Sequence, residues 1–215
     1  MVIEIQNDRI PFSKQYVALG ILVLNIIVFI LQYLDPSGNM LIDGFAFTPS
    51  EFFAGKEFWT LFTSMFMHAN PVHIIFNMWF FYIVADNCEF AMGHFWFLVT
   101  YLVSGIVGTL LHGVSSFLVP IFLDIPTLGA SGAIYGLIAV YAILFPNIKL
   151  QVVTNKVPYK INARSFGLIY FVTEIIYGII SLTAVMDGTA HFAHLGGFIA
   201  GAAFALVFKA VDKQF

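Results

Sequence analysis

Long apolar runs separated by short polar punctuation set the pattern of this chain. Tyr16 to Leu34 is almost unbroken hydrocarbon and ends at the turn-forming Asp35-Pro36-Ser37-Gly38. A mixed stretch follows over residues 35–70, rich in aromatics but carrying Asp43, Glu51, Lys56 and Glu57, a pattern suited to short helices lying in the membrane interface. Asn70-Pro71 then reads as an N-cap with proline at the first helical position. Five further apolar segments follow, at about 71–90, 93–119, 130–150, 165–185 and 190–208. Each has the length of one bilayer crossing, about 20 residues. The expectation is an all-α integral membrane protein: one six-helix bundle over residues 1–215, with a membrane-associated first loop.

Composition agrees with that reading. Of 215 residues 60% are hydrophobic and 10% charged, where soluble domains have about 45–50% and 25%. Mean hydropathy is +0.91. Six crossings use about 120 residues, which leaves short loops and no sizeable soluble domain. A water-soluble enzyme and a disordered chain are both excluded. The formal charge of −3 with scattered Lys and Arg shows no nucleic-acid footprint, and the single Cys88 allows no internal disulfide. The first apolar run lacks a small-residue cleavage site and reads as a retained helix, not a signal peptide.

Orientation follows from the basic residues. Arg9, Lys14, Lys149, Lys156, Lys160, Arg164, Lys209 and Lys213 fall on one side of the six-span layout, and Lys56 alone on the other. Both termini are therefore expected in the cytoplasm, with the second, fourth and sixth spans running inward from the outer face.

Three polar clusters then stand out, because strongly polar side chains are costly in hydrocarbon. The second span opens with His73 and Asn77, four residues apart and so on one face. The fourth opens with Gly129-Ala130-Ser131-Gly132, and the sixth with His191 and His194 followed by Gly197 and Gly201. Taken singly, each has an ordinary explanation: interface histidines, an interhelical amide, a small-residue packing patch. Those explanations leave unexplained why all three lie within two turns of the same membrane face. Acyl transfer by an activated serine does explain it. A serine hydroxyl needs a base, commonly histidine, and donors for the developing oxyanion. The pairs Gly132/Gly136 and Gly197/Gly201 would let two helices approach closely enough for Ser131 and His194 to meet.

At these residues the chain resembles the rhomboid intramembrane serine proteases. Gly129-Ala130-Ser131-Gly132 matches their G-x-S-G motif, with Tyr135 one turn below the serine. Ala193 to Gly201 matches A-H-x-x-G-x-x-x-G, and His73-x-x-x-Asn77, after Met67-His68 and before Met78, matches the second-span H-x-x-x-N signature. The resemblance covers about Phe58 to Phe208. It implies Ser131 as nucleophile and His194 as general base, a dyad without a carboxylate. It implies an oxyanion hole of His73, Asn77 and the Ser131 amide beside Gly129, and Tyr135 packed on the His194 ring. The fifth span and the loop with Met186-Asp187-Gly188 would act as substrate gate and cap. Partners would be membrane-anchored protein substrates and the bilayer itself, with no cofactor or metal. Such a small core suggests a prokaryotic plasma membrane. One departure is visible: the family often has Trp-Arg where this chain has Trp59-Thr60.

The rival readings are a catalytically weak, client-binding relative and a small transporter using Glu174 and His112 as a proton path. The chain carries both serine and histidine, and no inverted repeat supports a transporter. H-E-x-x-H is absent, which disfavours a metalloprotease. Asp86 and Asp187 fall at helix ends on opposite membrane faces, which argues against an aspartyl protease. Glu174, His94 and His112 are read as structural.

Overall fold

A computed structural model describes residues 2–4, 11–36, 40–152, 158–183 and 187–211. Arg9, Ser37, Gly38, Lys156, Val185, Met186 and Lys213, which the sequence reading used, lie outside these described residues. The fold is mostly helical. Helix α1 (Tyr16–Leu34) is followed by three short helices, α2 (Met40–Phe45), α3 (Pro49–Phe53) and α4 (Thr60–Thr63), then by α5 (Pro71–Ser115), α6 (Ser131–Leu144), α7 (Ala163–Ser181) and α8 (His191–Val211). The long helices α1, α5, α7 and α8 have the length and apolarity to cross a membrane, and α6 is apolar but only 14 residues long.

Local chemistry places these boundaries. The Asn70 side chain accepts from the His73 N–H at 2.9 Å and Pro71 opens α5. The α5 path then leaves helical geometry at Gly93 (φ 72°, ψ 160°), a conformation that side chains rarely adopt, so the helix has two limbs. In the last turn of the first limb, buried Glu89 turns back to α1, accepting from the N–H groups of Val17 (3.0 Å) and Ala18 (2.7 Å). A carboxylate there satisfies unpaired amides and favours the positive helix end. His94 closes on Glu89 from the second limb.

Two expectations need correction. The fourth segment was expected to stay helical from 130 to 150, but α6 stops at Leu144 because Pro146 disfavours helical geometry at Phe145. Beyond it the chain is not all-α. Strands β1 (Val2–Glu4), β2 (Lys149–Val152) and β3 (Tyr159–Asn162) form an antiparallel sheet in the order β1-β2-β3, with Val2 opposite Val152 and Leu150 opposite Ile161. This sheet puts the N-terminal arm beside the segment joining α6 to α7. The other ends shift by a few residues: α5 gives way at Ser115 to 3₁₀ turns over Ser116–Leu118 and Pro120–Asp124, α7 begins at Ala163, and α8 reaches Val211.

Helices α5, α6 and α8 pack against one another at the centre. Helix α1 leans on α5 and buries only Ala18, Ile21 and Asn25, while α7 flanks α6 and α8. Their outward faces carry exposed Ile27, Ile30, Leu31, Leu168, Ile176 and Ile179, as a lipid-facing surface requires. The first loop is fixed without the arginine that the family often has at position 60. Trp59 Nε1 donates to the Gly44 carbonyl at 2.9 Å, Thr63 Oγ1 to that of Phe45 at 2.8 Å, and buried Thr60 to that of Glu57 at 2.7 Å. Reciprocal backbone bonds between Phe47 and Thr127 (2.9 and 2.7 Å) tie this loop to the segment leading into α6.

Candidate active site

Ser131 is the first residue of α6, so its backbone N–H lies among the amides that a helix start leaves unpaired. His194 lies in the first turn of α8. Their approach is set by glycine. A methyl group built on Gly197 would lie 1.9 Å from the Gly132 carbonyl oxygen, and one on Gly201 would lie 2.0 Å from that of Gly136. No larger residue fits between these backbones. With the helices so close, His194 Nε2 stands 2.8 Å from Ser131 Oγ. The Tyr135 ring stacks on the His194 imidazole, centroids 4.2 Å apart and planes 8° from parallel.

The same packing extends to α5, which the sequence reading left out. Methyl groups on Gly108 and Gly196 would lie 2.4 Å from the Ala193 carbonyl and 2.9 Å from Gly108 Cα, and one on Gly136 would strike Ser104. Ser104, Gly105 and Gly108 were the available signal, three small residues on one face. Helix α8 thus lies in a trough with walls from both α5 and α6.

His73, Asn77 and Gly129 converge on the other side of the serine. Gly129 has φ 131°, and a methyl group there would lie 2.8 Å from His73 Cε1 and 3.0 Å from its Nε2. Backbone conformation and crowding both require glycine. The Ala69 N–H donates to His73 Nδ1 at 3.3 Å, which leaves the proton on Nε2, the nitrogen facing the turn before Ser131. Asn77 Nδ2 donates to the His73 carbonyl at 3.0 Å, and its side chain lines the same cavity as Ser131. His73 is backed edge-on by the His68 ring, centroids 5.1 Å apart. Burial, then the neighbouring His73, pushes His68 down to about 3, so His68 stays neutral.

These groups face one cavity of about 480 Å³, bounded by α5, α6, α7 and the segment before α8. It reaches Tyr170 on α7 and Asp187 at the outer rim. At Asp187 burial opposes the charge, but the Thr189 N–H and His191 hold the carboxyl below its usual range. All eight residues singled out from sequence, Ser131, His194, His73, Asn77, Gly129, Tyr135, Gly197 and Gly201, lie at this cavity or in the packing beneath it.

Sequence reasoning missed the company that Glu174 keeps. This buried side chain on α7 accepts the Tyr135 O–H on Oε1, and its Oε2 lies 2.7 Å from His191 Nδ1 and 3.1 Å from His194 Nδ1. The 3.1 Å contact is not aligned as a hydrogen bond. A carboxylate therefore does stand behind the histidine, although the resemblance implied none. The available signal was Glu174 itself, a carboxylate inside an apolar span. Glu174, His191 and His194 also bring three potential ligand atoms within 4.8 Å of one another. The 2.7 Å separation of Glu174 Oε2 from His191 Nδ1 is that of a shared proton, shorter than the roughly 3.3 Å between ligands around one zinc at tetrahedral geometry.

The structure thus brings a serine and a histidine into contact inside an apolar helical bundle, beside clustered hydrogen-bond donors. Comparison with known proteins carries this further. The Rhomboid domain family model matches residues 55–210. The chain is 30% identical to Rhomboid-like protease 3 of Toxoplasma gondii over 77% of its length and 56% of that protein's. It is 30% identical to Rhomboid protease GluP of Bacillus subtilis over 94% of its length and 36% of that protein's. With Rhomboid protease AarA of Providencia stuartii it shares 27% identity over 74% of its length and 58% of that protein's. The chain therefore belongs to the rhomboid family, whose members are intramembrane serine proteases. It spans between about a third and three fifths of the length of these three relatives. Relatives in Arabidopsis thaliana also match, so the comparison does not point to the prokaryotic source expected from the sequence.

Proposed function

We propose that this chain is itself an intramembrane serine endopeptidase that hydrolyses peptide bonds in or beside transmembrane segments of membrane-anchored proteins. The observation that carries the proposal is the 2.8 Å contact between His194 Nε2 and Ser131 Oγ at the start of two close-packed helices. On this reading α1, the two limbs of α5, α6, α7 and α8 are six crossings of one membrane domain. The basic residues place both termini in the cytoplasm and the cavity toward the outer face.

Ser131 Oγ attacks the scissile carbonyl carbon while its proton passes to His194 Nε2. The carbonyl π pair moves to oxygen, where the Ser131 N–H, His73 Nε2–H and Asn77 amide donate to the anion. His194 then gives its proton to the departing amine. Water, deprotonated by the same histidine, releases the acyl group from Ser131. Tyr135 keeps the ring in plane throughout. A peptide bond inside a substrate helix is shielded, so the cavity suits segments that unwind easily. Helix α7 and the Asp187 segment form the side from which a substrate would enter.

The test is covalent labelling by a fluorophosphonate in detergent or lipid. Wild type should label at Ser131, whereas Ser131→Ala and His194→Ala should not, while both stay helical and monodisperse. Equal labelling of wild type and His194→Ala, or label on another residue, would overturn the proposal in favour of a client-binding relative.

A further inference from the structure

The carboxylate behind His194 has no part in the mechanism just described, yet its surroundings form one continuous chain. Ser131 Oγ meets His194 Nε2 at 2.8 Å. His194 Nδ1 faces Glu174 Oε2 at 3.1 Å, and the same oxygen meets His191 Nδ1 at 2.7 Å. His191 Nε2 meets Asp187 Oδ2 at 3.0 Å, at the half-exposed outer rim. Acids and bases alternate from the nucleophile to the surface.

One proton placement satisfies every contact along this chain. To accept the Ser131 O–H, Nε2 of His194 must be bare, so its proton sits on Nδ1, the nitrogen opposite Glu174. Glu174 has to be ionised to serve that N–H while also accepting from Tyr135 and His191. His191 lies between two carboxylates, one at each ring nitrogen, and satisfies both by donating from both. That makes it a cation and leaves His194 neutral. Glu174, Asp187 and His191 together then carry one negative charge, which is balanced when His194 takes the serine proton.

We infer that Glu174 is a positioning residue for the Ser131–His194 pair: it holds His194 in the tautomer that can accept the serine proton, and it compensates the imidazolium formed during attack. The inference rests on the reading of Ser131 and His194 as the reacting pair. The bland account, in which Glu174 only ties α7 to its neighbours, explains the Tyr135 and His191 bonds. It leaves unexplained why the oxygen also faces the one His194 nitrogen that Ser131 does not use. The two atoms stand within hydrogen-bonding distance at 3.1 Å, although their angle is poor. His191 and Asp187 act one step further out, fixing Glu174 Oε2 and linking it to the rim.

Glu174→Gln keeps the size of the side chain, removes its charge and turns one acceptor oxygen into an NH2 donor. In the purified protein it should lower kcat for peptide cleavage about 10- to 100-fold, less than the roughly 10⁴-fold lost when a well-aligned triad carboxylate becomes an amide. KM should stay within about twofold, because a group acting through His194 leaves substrate binding alone. Fluorophosphonate labelling at Ser131 should slow in parallel. An unchanged kcat in a folded Glu174→Gln would overturn the inference while leaving the protease reading intact. A wild type that never labels at Ser131 would overturn both. A second measurement needs no variant: ¹⁵N shifts of His194 in the wild type should show Nδ1 protonated and Nε2 bare. Predominance of the opposite tautomer would overturn the inference even if Glu174→Gln failed to fold.

Discussion

Helix α8 meets α6 and α7 in two different ways. Along α6 the contact is backbone on backbone: the carbonyls of Gly132 and Gly136 occupy the space where side chains of Gly197 and Gly201 would begin. Along α7 it is ring on ring, with Phe171 stacked on Phe198 at 4.7 Å between centroids. The α7 contacts also change along its length. Near its start, a methyl group on Gly167 would lie 2.5 Å from Ala142 Cβ, whereas near its end one on Gly178 would find nothing closer than Leu195 Cδ1 at 3.6 Å. Ser131 and His194 are thus mounted on a seam of backbone contact, and the flank facing it loosens toward the cavity rim. What holds that rim is polar: Glu174 with Tyr135 and His191. Under the proposed function the contrast separates two demands, since Ser131 and His194 would need fixed geometry and an entering peptide a wall that yields.

The largest effect should come from breaking the seam. Gly201→Val adds a branched side chain where a single methyl already lies 2.0 Å from a carbonyl oxygen. Ordinary overpacking costs about 1–3 kcal/mol, and here the obstacle is backbone, which cannot rotate away. Thermal stability should fall steeply and labelling at Ser131 should disappear with it. A variant of wild-type melting temperature and full labelling rate would show that α6 and α8 do not need this approach.

Much of this geometry was legible in the sequence because the seam is made by residue type alone. Gly132, Gly136, Gly197 and Gly201 reveal close approach by their spacing, and Asn70-Pro71 announces a helix start. The interior polar residues pointed to the candidate site, since each polar group in hydrocarbon needs a reason. The short end of α6 was also available in Pro146, but the apolar run around it hid the break. The sheet was legible only in part: Ile148, Leu150 and Val152 alternate with Asn147, Lys149 and Gln151, a strand period that the expected fourth span absorbed, while the pairing with Val2–Glu4 and Tyr159–Asn162 is not set by any local pattern. Glu174 lies between these cases. Its presence in an apolar span was visible, but that it faces His194 depends on the rotation of α7, which exposed isoleucines and leucines leave unspecified.

A smaller loss is expected on the donor side of the serine. Asn77→Ala removes an amide that lines the cavity without touching the α6–α8 seam. Loss of one preorganised oxyanion donor costs about 10²–10³ in kcat, so this variant should be folded, with near-normal melting, and slow. Stability and rate would then be separated: Gly201→Val loses both and Asn77→Ala only the second. An Asn77→Ala enzyme with unchanged kcat would take Asn77 out of the site and leave the anion to His73 and the Ser131 amide.

The smallest effect tests the loose end of α7 with the mildest version of the same change. Gly178→Ala adds one methyl to a helical glycine, as Gly197→Ala would, but its nearest neighbours are Leu195 Cδ1 at 3.6 Å, Phe192 Cζ at 3.7 Å and His191 Cβ at 3.8 Å. Those are ordinary van der Waals distances, so nothing must move. Replacing a helical glycine by alanine without strain is worth about 0.4–1 kcal/mol in favour of the fold. The Gly178→Ala melting temperature should therefore hold or rise slightly, with an unchanged labelling rate, while Gly197→Ala loses both. His191 sits beside the added methyl, which makes the labelling rate a check that the polar rim is undisturbed. If Gly178→Ala were as damaging as Gly197→Ala, the outer end of α7 would be packed as tightly as the seam. Substrate entry along that side would then require the helix to move as a whole.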